Sequence, residues 1–293
     1  MRPRPLDRTG IRALIAFGEH SLAEGPHPER ARFDAEALLL HILRREVQER
    51  NRAWLIAHAD SPTMPGVAQE FRALIERRYQ GEPIQYIIGE TEFYGRPFRV
   101  TPDVLIPRPE TEHLVEKVIE LAVLFQSPRI VDIGTGSGAI AITLARHVPN
   151  AAITAIDVSV PALAIAQENA TRSEVAIRFL KGDLLIPVAQ EQFDIVVSNP
   201  PYVPSTDRRV LSVEVREHEP SLALFAGPDG LDTYRRLIPQ AFACLSPGGF
   251  IALEIGYGQS ATVRTLLADS GLQNIEFLPD LQSIPRVAVA KHP

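Results

Sequence analysis

Residues 130–145 read Ile-Val-Asp-Ile-Gly-Thr-Gly-Ser-Gly-Ala-Ile-Ala-Ile-Thr-Leu-Ala, and this stretch decides the fold. It predicts a short apolar strand, a glycine-rich turn and the start of a helix. The glycines let the backbone turn sharply and approach a ligand without a Cβ in the way. The helix that follows begins with unpaired N–H groups and the positive end of its dipole. The stretch therefore predicts a ligand-binding turn in an α/β sheet.

The glycine pattern alone fits two cofactors. Gly134, Gly136 and Ala139 satisfy the dinucleotide fingerprint, which tolerates alanine at its third position. Asp132 favours S-adenosylmethionine, because its carboxylate would repel a pyrophosphate but suits an amino group and a sulfonium. Asp157 ends the next apolar strand, nineteen residues after the last glycine. An acid at that distance suits the ribose hydroxyls of either cofactor.

A second motif, Asn199-Pro200-Pro201-Tyr202, follows the apolar run 193–198. Two consecutive prolines cannot donate to a sheet ladder, so the strand must stop there. The stop presents an amide, stiff backbone carbonyls and an aromatic ring at a strand's carboxyl end, where open α/β sheets bind ligands. The Asn199 oxygen and the Pro200 carbonyl are acceptors for the two N–H groups of a planar amide. Tyr202 would stack on that amide; a plain proline-terminated loop is the structural alternative.

Composition narrows the class of protein. The 293 residues carry a net charge of −6 and are 45% hydrophobic, which predicts two globular domains. We expect no direct nucleic-acid binding, because no basic excess is present. Cys244 is the only cysteine, and the histidines show no metal-ligand spacing, so we expect no disulfide and no metal. No apolar run or leader is typical of membrane insertion or secretion, which favours a cytoplasmic protein.

The chain is predicted to have three parts. Residues 1–80 show helical periodicity, with four or five helices. Residues 81–108 predict a β-hairpin connector, with strands near 86–89, 92–95 and 98–100 and a turn at 95–97.

Residues 109–293 alternate strand and helix, which predicts a mostly parallel sheet covered by helices on both faces. The last two strands have no long helix between them and predict an antiparallel edge. The strands are placed at 129–133, 152–157, 177–181, 193–198, 249–255, 273–278 and 286–291, and the main helices at 113–125, 138–147, 160–170, 230–245 and 259–270.

These motifs together resemble the class I S-adenosylmethionine-dependent methyltransferases. The Asn-Pro-Pro-Tyr signature is typical of members that methylate planar nitrogens. Further segments resemble the release factor glutamine methyltransferase family (PrmC/HemK) in particular. These segments are 83–89, 92–95, 106–112, 219–224, 227–232, 234–235 and 253–256.

The resemblance implies a Rossmann-like seven-stranded domain that methylates the glutamine N5 of the Gly-Gly-Gln motif in class I peptide chain release factors. It assigns cofactor binding to Asp132, Gly134, Thr135, Gly136, Ser137, Gly138, Asp157, Asp183, Leu184 and Asn199. Asp157 would hold the ribose, and Asp183 and Leu184 would flank the adenine, although family members often carry an aromatic residue at the Leu184 position. Catalysis and substrate binding would fall to Asn199, Pro200, Pro201 and Tyr202.

Three alternatives share parts of these motifs. A glutamine methyltransferase acting on a ribosomal protein would have the same tetrapeptide. An adenine-N6 DNA methyltransferase would flip its base into such a site but would need a basic target-recognition region, which the sequence lacks. A non-catalytic nucleoside binder or NAD protein would leave the tetrapeptide unexplained. We expect residues 1–80 to dock the protein substrate and the protein to be a monomer.

Overall fold

The computed structural model describes residues 10–45, 47–280 and 282–293. The chain divides into two compact units. The first comprises Met1–Gly89 and Ser212–His218, and the second comprises Glu90–Leu211 and Glu219–Pro293. The helical unit thus includes a short segment from much later in the chain.

The first unit is a bundle of short helices. Gly18 lets α1 pack closely, since a Cβ there would come within 2.9 Å of Phe71, Ala35 and Ile75 side-chain atoms. Its helices are α1 (Ile11–Ala23), α2 (Ala31–Arg44), α3 (Arg52–Ala57), α4 (Val67–Tyr79), α5 (Ile84–Ile88) and α9 (Val213–His218), with a 3-10 turn at Pro28–Arg30.

A buried ion cluster holds the late segment in this unit. Arg78 and Asp34 are almost fully buried, and Arg78 Nε donates to Asp34 Oδ2 at 2.7 Å. A second nitrogen of Arg78 pairs with Glu214 of α9. Because a buried guanidinium needs anionic partners, Glu214 fixes α9 against the bundle.

The prediction of a strand at 86–89 is wrong, because these residues belong to helix α5. Pro83, with φ −54°, begins the helix, and Gly89, with φ 83°, ends it. Ile84 and Ile87 are buried at helical spacing. A short apolar run has no decisive periodicity, so its flanking residues were the better guide.

The predicted hairpin is present at the start of the second unit. Strands β1 (Glu90–Phe93) and β2 (Arg96–Arg99) pair antiparallel. Tyr94 and Gly95 connect them with φ 51° and 69°, as a two-residue primed turn requires. The predicted turn at 95–97 is therefore placed too late, since Pro97 lies in β2 opposite Glu92.

The rest of the second unit forms the predicted α/β sheet. Its order is β5-β4-β3-β6-β7-β9-β8, with β3–β7 mutually parallel and β9 antiparallel to both neighbours. The strands are β3 (Arg129–Ile133), β4 (Ala152–Asp157), β5 (Arg178–Lys181), β6 (Phe193–Ser198), β7 (Leu245–Glu254), β8 (Gln273–Pro279) and β9 (Pro285–Lys291). The helices are α6 (Thr111–Ala122), α7 (Ala139–His147), α8 (Val160–Arg172), α10 (Ser221–Leu224), α11 (Asp232–Cys244) and α12 (Ser260–Asp269), with 3-10 turns at Ile186–Val188 and Ser205–Val210.

The sheet separates two apolar layers. Ile130 packs in one layer, whereas Val131 and Ile133 pack in the other, as side-chain alternation along β3 requires. From β3 the chain proceeds through β4 to β5 on one side, and β6 then lies on the other side of β3. This reversal opens a crevice at the carboxyl ends of β3 and β6, where such sheets bind ligands.

Candidate active site

A cavity occupies this crevice and lies within the second unit. Eight of the predicted site residues line it: Gly134, Gly136, Asp157, Asp183, Leu184, Asn199, Pro200 and Pro201. Five others are not among the lining residues: Asp132, Thr135, Ser137, Gly138 and Tyr202. The hairpin connector and α10 add an apolar rim through Val104, Leu105 and Leu222, which the sequence did not indicate.

The glycine turn has two structural roles. Gly134 and Gly136 adopt φ 71° and 55°, and a Cβ on Gly134 would meet no atom within 4 Å. The backbone at this point is thus bare toward the cavity. Gly138 serves packing instead, since a Cβ there would lie 2.8 Å from Ile142 and 3.2 Å from Ala166.

A buried amide braces the turn from behind. Asn169 on α8 donates to the Ser137 carbonyl at 2.9 Å and to the Arg99 carbonyl at 3.0 Å, and accepts from the Arg99 N–H at 2.8 Å. It therefore joins the end of β2 to the glycine turn. The sequence did not identify Asn169, because no motif surrounds it.

Asp132 is a fully buried acid with an incomplete set of partners. The Thr135 hydroxyl donates to its Oδ2 at 2.6 Å, whereas Oδ1 has no hydrogen-bond partner among the described residues. Burial raises the pKa of Asp132 to about 7, although hydrogen bonds from the Thr135 hydroxyl and the Ala141 backbone N–H oppose the rise. An unpaired buried acceptor beside a bare glycine turn fits a cofactor that brings positive charge.

Asp157 is mostly buried at the end of β4. Its Oδ2 accepts from the Gly136 N–H at 2.9 Å, and its Oδ1 accepts from the Ser159 N–H at 2.8 Å. Each carboxylate oxygen keeps a further lone pair for a ligand hydroxyl. Asp157 can thus shape the turn and bind a ribose together.

Asp183 and Leu184 at the cavity wall suit a nucleobase. Asp183 pairs with Arg236 of α11, and Leu184 adopts φ 52°. Both side chains are half-buried at the cavity wall. Leu184 offers an aliphatic face where an aromatic one is common in the resembling family.

The tetrapeptide is held by a buried hydrogen-bond chain. Asn199 Nδ2 donates to Thr111 Oγ1 at 3.0 Å, and the Thr111 hydroxyl donates to Glu254 Oε2 at 2.6 Å. The Tyr202 hydroxyl donates to Glu254 Oε1 at 3.2 Å. Thr111 and Glu254 were not predicted as site residues, although both fall in the resembling segments 106–112 and 253–256.

Burial shifts the pKa values of the two titratable groups in this hydrogen-bond chain. It raises the pKa of Glu254, against the hydrogen bonds from Thr111 and Tyr202. It also raises the pKa of Tyr202 well above 10, with the neighbouring Glu254 adding to the effect. Tyr202 therefore stays protonated at neutral pH and donates to Glu254.

Two segments of the chain match models of known domain families. Residues 13–89 match the PrmC N-terminal domain, and residues 110–215 match the methyltransferase small domain. A release factor glutamine methyltransferase from Koribacter versatilis is 43% identical over 272 residues, covering 92% of this chain and 94% of the relative. One from Moorella thermoacetica is 43% identical over 283 residues, covering 96% and 98%.

The chain belongs to the release factor glutamine methyltransferase family. A methyltransferase from Pyrococcus furiosus shares the fold, with a TM-score of 0.52 and 20% identity over 68% of this chain and 90% of that one. The family name and the match to the methyltransferase small domain identify the chain as a methyltransferase. A 16S rRNA methyltransferase from T. thermophilus, with a TM-score of 0.52 and 20% identity over 70% of this chain and 50% of that one, is known in complex with S-adenosylmethionine. The fold class predicted from the sequence is confirmed, and the family match favours the S-adenosylmethionine interpretation of the glycine turn over NAD.

Proposed function

We propose that this protein transfers a methyl group from S-adenosylmethionine to the glutamine N5 of the Gly-Gly-Gln motif in class I peptide chain release factors. The observation that carries the proposal is the Asn199 carboxamide. It lines the same cavity as the glycine turn and Asp157, and Thr111 fixes its amino group. The site therefore holds an acceptor ready for a planar amide beside a nucleoside-type pocket.

Each cofactor-facing residue would contact a different group of S-adenosylmethionine. Asp132 would compensate positive charge near the glycine turn, and Asp157 would accept from the ribose hydroxyls. Asp183 and Leu184 would contact the base. When bound, the cofactor supplies an electrophilic methyl group, so the protein's own task is to align the nucleophile.

The substrate nitrogen needs this alignment because its lone pair is delocalised into the neighbouring carbonyl. The Asn199 oxygen and the Pro200 carbonyl would accept its two N–H groups and hold the lone pair toward the methyl group. Alignment of this kind lowers a barrier by roughly 7–11 kcal/mol. The nitrogen becomes acidic only after it is alkylated, so no strong base is needed beforehand.

The test is a transfer assay with the full-length protein. Labelled S-adenosylmethionine is incubated with a purified release factor, with purified ribosomal proteins and with adenine-containing duplex DNA. We expect label in the release factor alone, at the motif glutamine by mass spectrometry. A release factor with glutamate in place of that glutamine is the matched control. Label in ribosomal proteins or DNA, and none in the release factor, contradicts the proposal.

We also propose that the helical unit docks the protein substrate, because one amide contact gives limited discrimination. Phe33, Ile56 and Met64 are exposed on this unit. Their replacement by aspartate should raise KM for the release factor and leave cofactor affinity unchanged. Val123→Asp, at an exposed apolar position of the other unit, is the control. An unchanged KM in all three variants rules out docking through these residues.

The remaining expectations concern the protein's state in the cell. None of the helices within residues 10–45, 47–280 and 282–293 is long and apolar enough to cross a membrane. We propose a cytoplasmic monomer without direct nucleic-acid binding, which meets release factors as free proteins. Light scattering of the purified protein tests the monomer.

A further inference from the structure

Glu254 is a buried carboxylate whose direct hydrogen bonds come from two neutral hydroxyl groups. It is 2% exposed at the end of β7 and accepts from Thr111 and Tyr202. Burying a carboxylate against neutral donors is costly. A hydrophobic side chain would fill the same space at lower cost, so the carboxylate does something for its partners that packing alone does not.

The carboxylate sets the direction of the hydrogen bonds. An ionised carboxylate only accepts, and a threonine hydroxyl has one hydrogen to donate. Once Thr111 donates to Glu254, its oxygen can only accept from Asn199. The Asn199 amide must then turn its Nδ2 to Thr111, which leaves Oδ1 as the atom it presents to the cavity.

The opposite amide orientation is disfavoured at both ends. Asn199 Oδ1 would face the lone pairs of Thr111 Oγ1, and Nδ2 would face the N–H groups of a bound carboxamide. Donors facing donors and acceptors facing acceptors lose the hydrogen bonds and leave polar groups unpaired. The direction set at Glu254 thus selects the orientation that can bind an amide nitrogen.

We propose that Thr111 and Glu254 are positioning residues that fix the Asn199 carboxamide with its oxygen toward the substrate nitrogen. The proposal rests on the proposed function, since it supplies that function with its oriented acceptor. A protonated Glu254 could donate to one of these hydroxyl groups, and the direction of the hydrogen bonds through Thr111 to Asn199 would then no longer be fixed. Activity should therefore fall on the acid side as Glu254 gains a proton.

Several charged and titratable groups surround Glu254. The carboxylate of Glu110 favours its protonated form, and the guanidinium of Arg286 favours the ionised form. The hydroxyl groups of Tyr202 and Tyr234 also face it, and Tyr234 donates to its backbone carbonyl at 2.8 Å. Both tyrosines have a raised pKa, so neither titrates in the acid range.

The kinetic test compares Thr111→Val with Thr111→Ser. We expect Thr111→Val to lower kcat roughly 10²-fold through misalignment, with the cofactor Kd unchanged by calorimetry. Thr111→Ser should restore most of this loss, because it keeps the hydroxyl. Thr143→Val is the control, since Thr143 is also buried but donates to a carbonyl of its own helix. Normal kcat in Thr111→Val, or equal losses in the Val and Ser variants, overturns the proposal.

A pH profile separates positioning from packing. The acid-side fall in kcat should be present in the wild type and absent in Glu254→Gln, which cannot titrate. An identical acid limb in both proteins overturns the role of Glu254. A wild type that transfers no methyl group to release factors contradicts the proposed function, and the next measurement then tests the positioning alone.

That measurement uses the side-chain amide signal of Asn199 in nitrogen-labelled protein, assigned by its loss in Asn199→Ala. Hydrogen exchange of this amide should be slow in the wild type and in Thr111→Ser, and faster in Thr111→Val. Equal exchange rates in all three proteins contradict the inferred hydrogen bond whatever the activity.

Discussion

Asp132 should make the stability of the ligand-free protein fall as pH rises, which is opposite to the usual effect of a paired carboxylate. Its side chain is fully buried, and burial raises its pKa from 3.8 to about 7. The folded protein therefore keeps a proton that the unfolded chain loses above about pH 4. The stabilisation from this proton is complete below about pH 4 and is lost as pH rises through about 7.

The magnitude follows from the two pKa values. A rise of about three in pKa corresponds to about 4 kcal/mol of unfolding free energy, which is a large share of the 5–15 kcal/mol typical of domains. Asp132→Asn has nearly the same shape and does not titrate. The free energies of unfolding of both proteins are measured in urea at several pH values. Their difference should move by roughly 3 kcal/mol between pH 5 and pH 8, in favour of the variant.

Taking the difference removes the contributions of other titrating groups, including Glu254. Parallel pH profiles for the two proteins would refute the reasoning, because Asp132 would then have the same pKa in both states. The cofactor gives a second check, since its positive charge should favour ionised Asp132. Its affinity for the wild type should weaken up to tenfold per pH unit below about pH 7, whereas the affinity of Asp132→Asn should stay flat.

Three further predictions concern other residues. Asn199→Ala should lower kcat roughly 10²–10³-fold, as loss of an aligned polar group does, with cofactor binding intact by calorimetry; lost binding with preserved turnover contradicts its role. Asp157→Ala should raise the cofactor Kd roughly 10- to 100-fold, because a hydrogen bond to a charged group is worth about 1.5–3 kcal/mol, and an unchanged Kd rules out the ribose contact. Arg78→Met leaves Asp34 buried without its main cation and should lower the free energy of unfolding, measured in urea, by about 3–5 kcal/mol. Arg12→Met, at an exposed ion pair with Asp60, should change it little. Equal effects of the two substitutions contradict the importance of burial.

The sheet could be predicted closely because its strands have clear local ends. The predicted strands 129–133, 152–157 and 193–198 coincide with β3, β4 and β6. A glycine turn ends the first, an acid ends the second and the proline pair follows the third. The segment 86–89 lacks such a pattern. It belongs to a helix that lies between Pro83 and Gly89.

The site could be predicted only where a motif carried it. The glycine turn, Asp157 and the tetrapeptide follow strand ends, so their meeting at one edge follows from the sheet order. Thr111 and Glu254 meet across 143 residues through a hydrogen bond, which no local pattern encodes. The predicted helix begins at residue 113, whereas α6 begins at Thr111.

Charge explains why these separate features belong to one reaction. Methyl transfer moves positive charge from the donor toward the substrate nitrogen. In the proposed reaction, Asp132 lies on the donor side, and Glu254 lies behind Asn199 on the acceptor side. The acceptor side combines amide and carbonyl oxygens with a buried carboxylate. It therefore favours the N–H groups of a neutral carboxamide and repels a carboxylate. The proposed function therefore predicts that a glutamine is accepted where a glutamate is excluded, and that the charge developing on its nitrogen is stabilised as it forms.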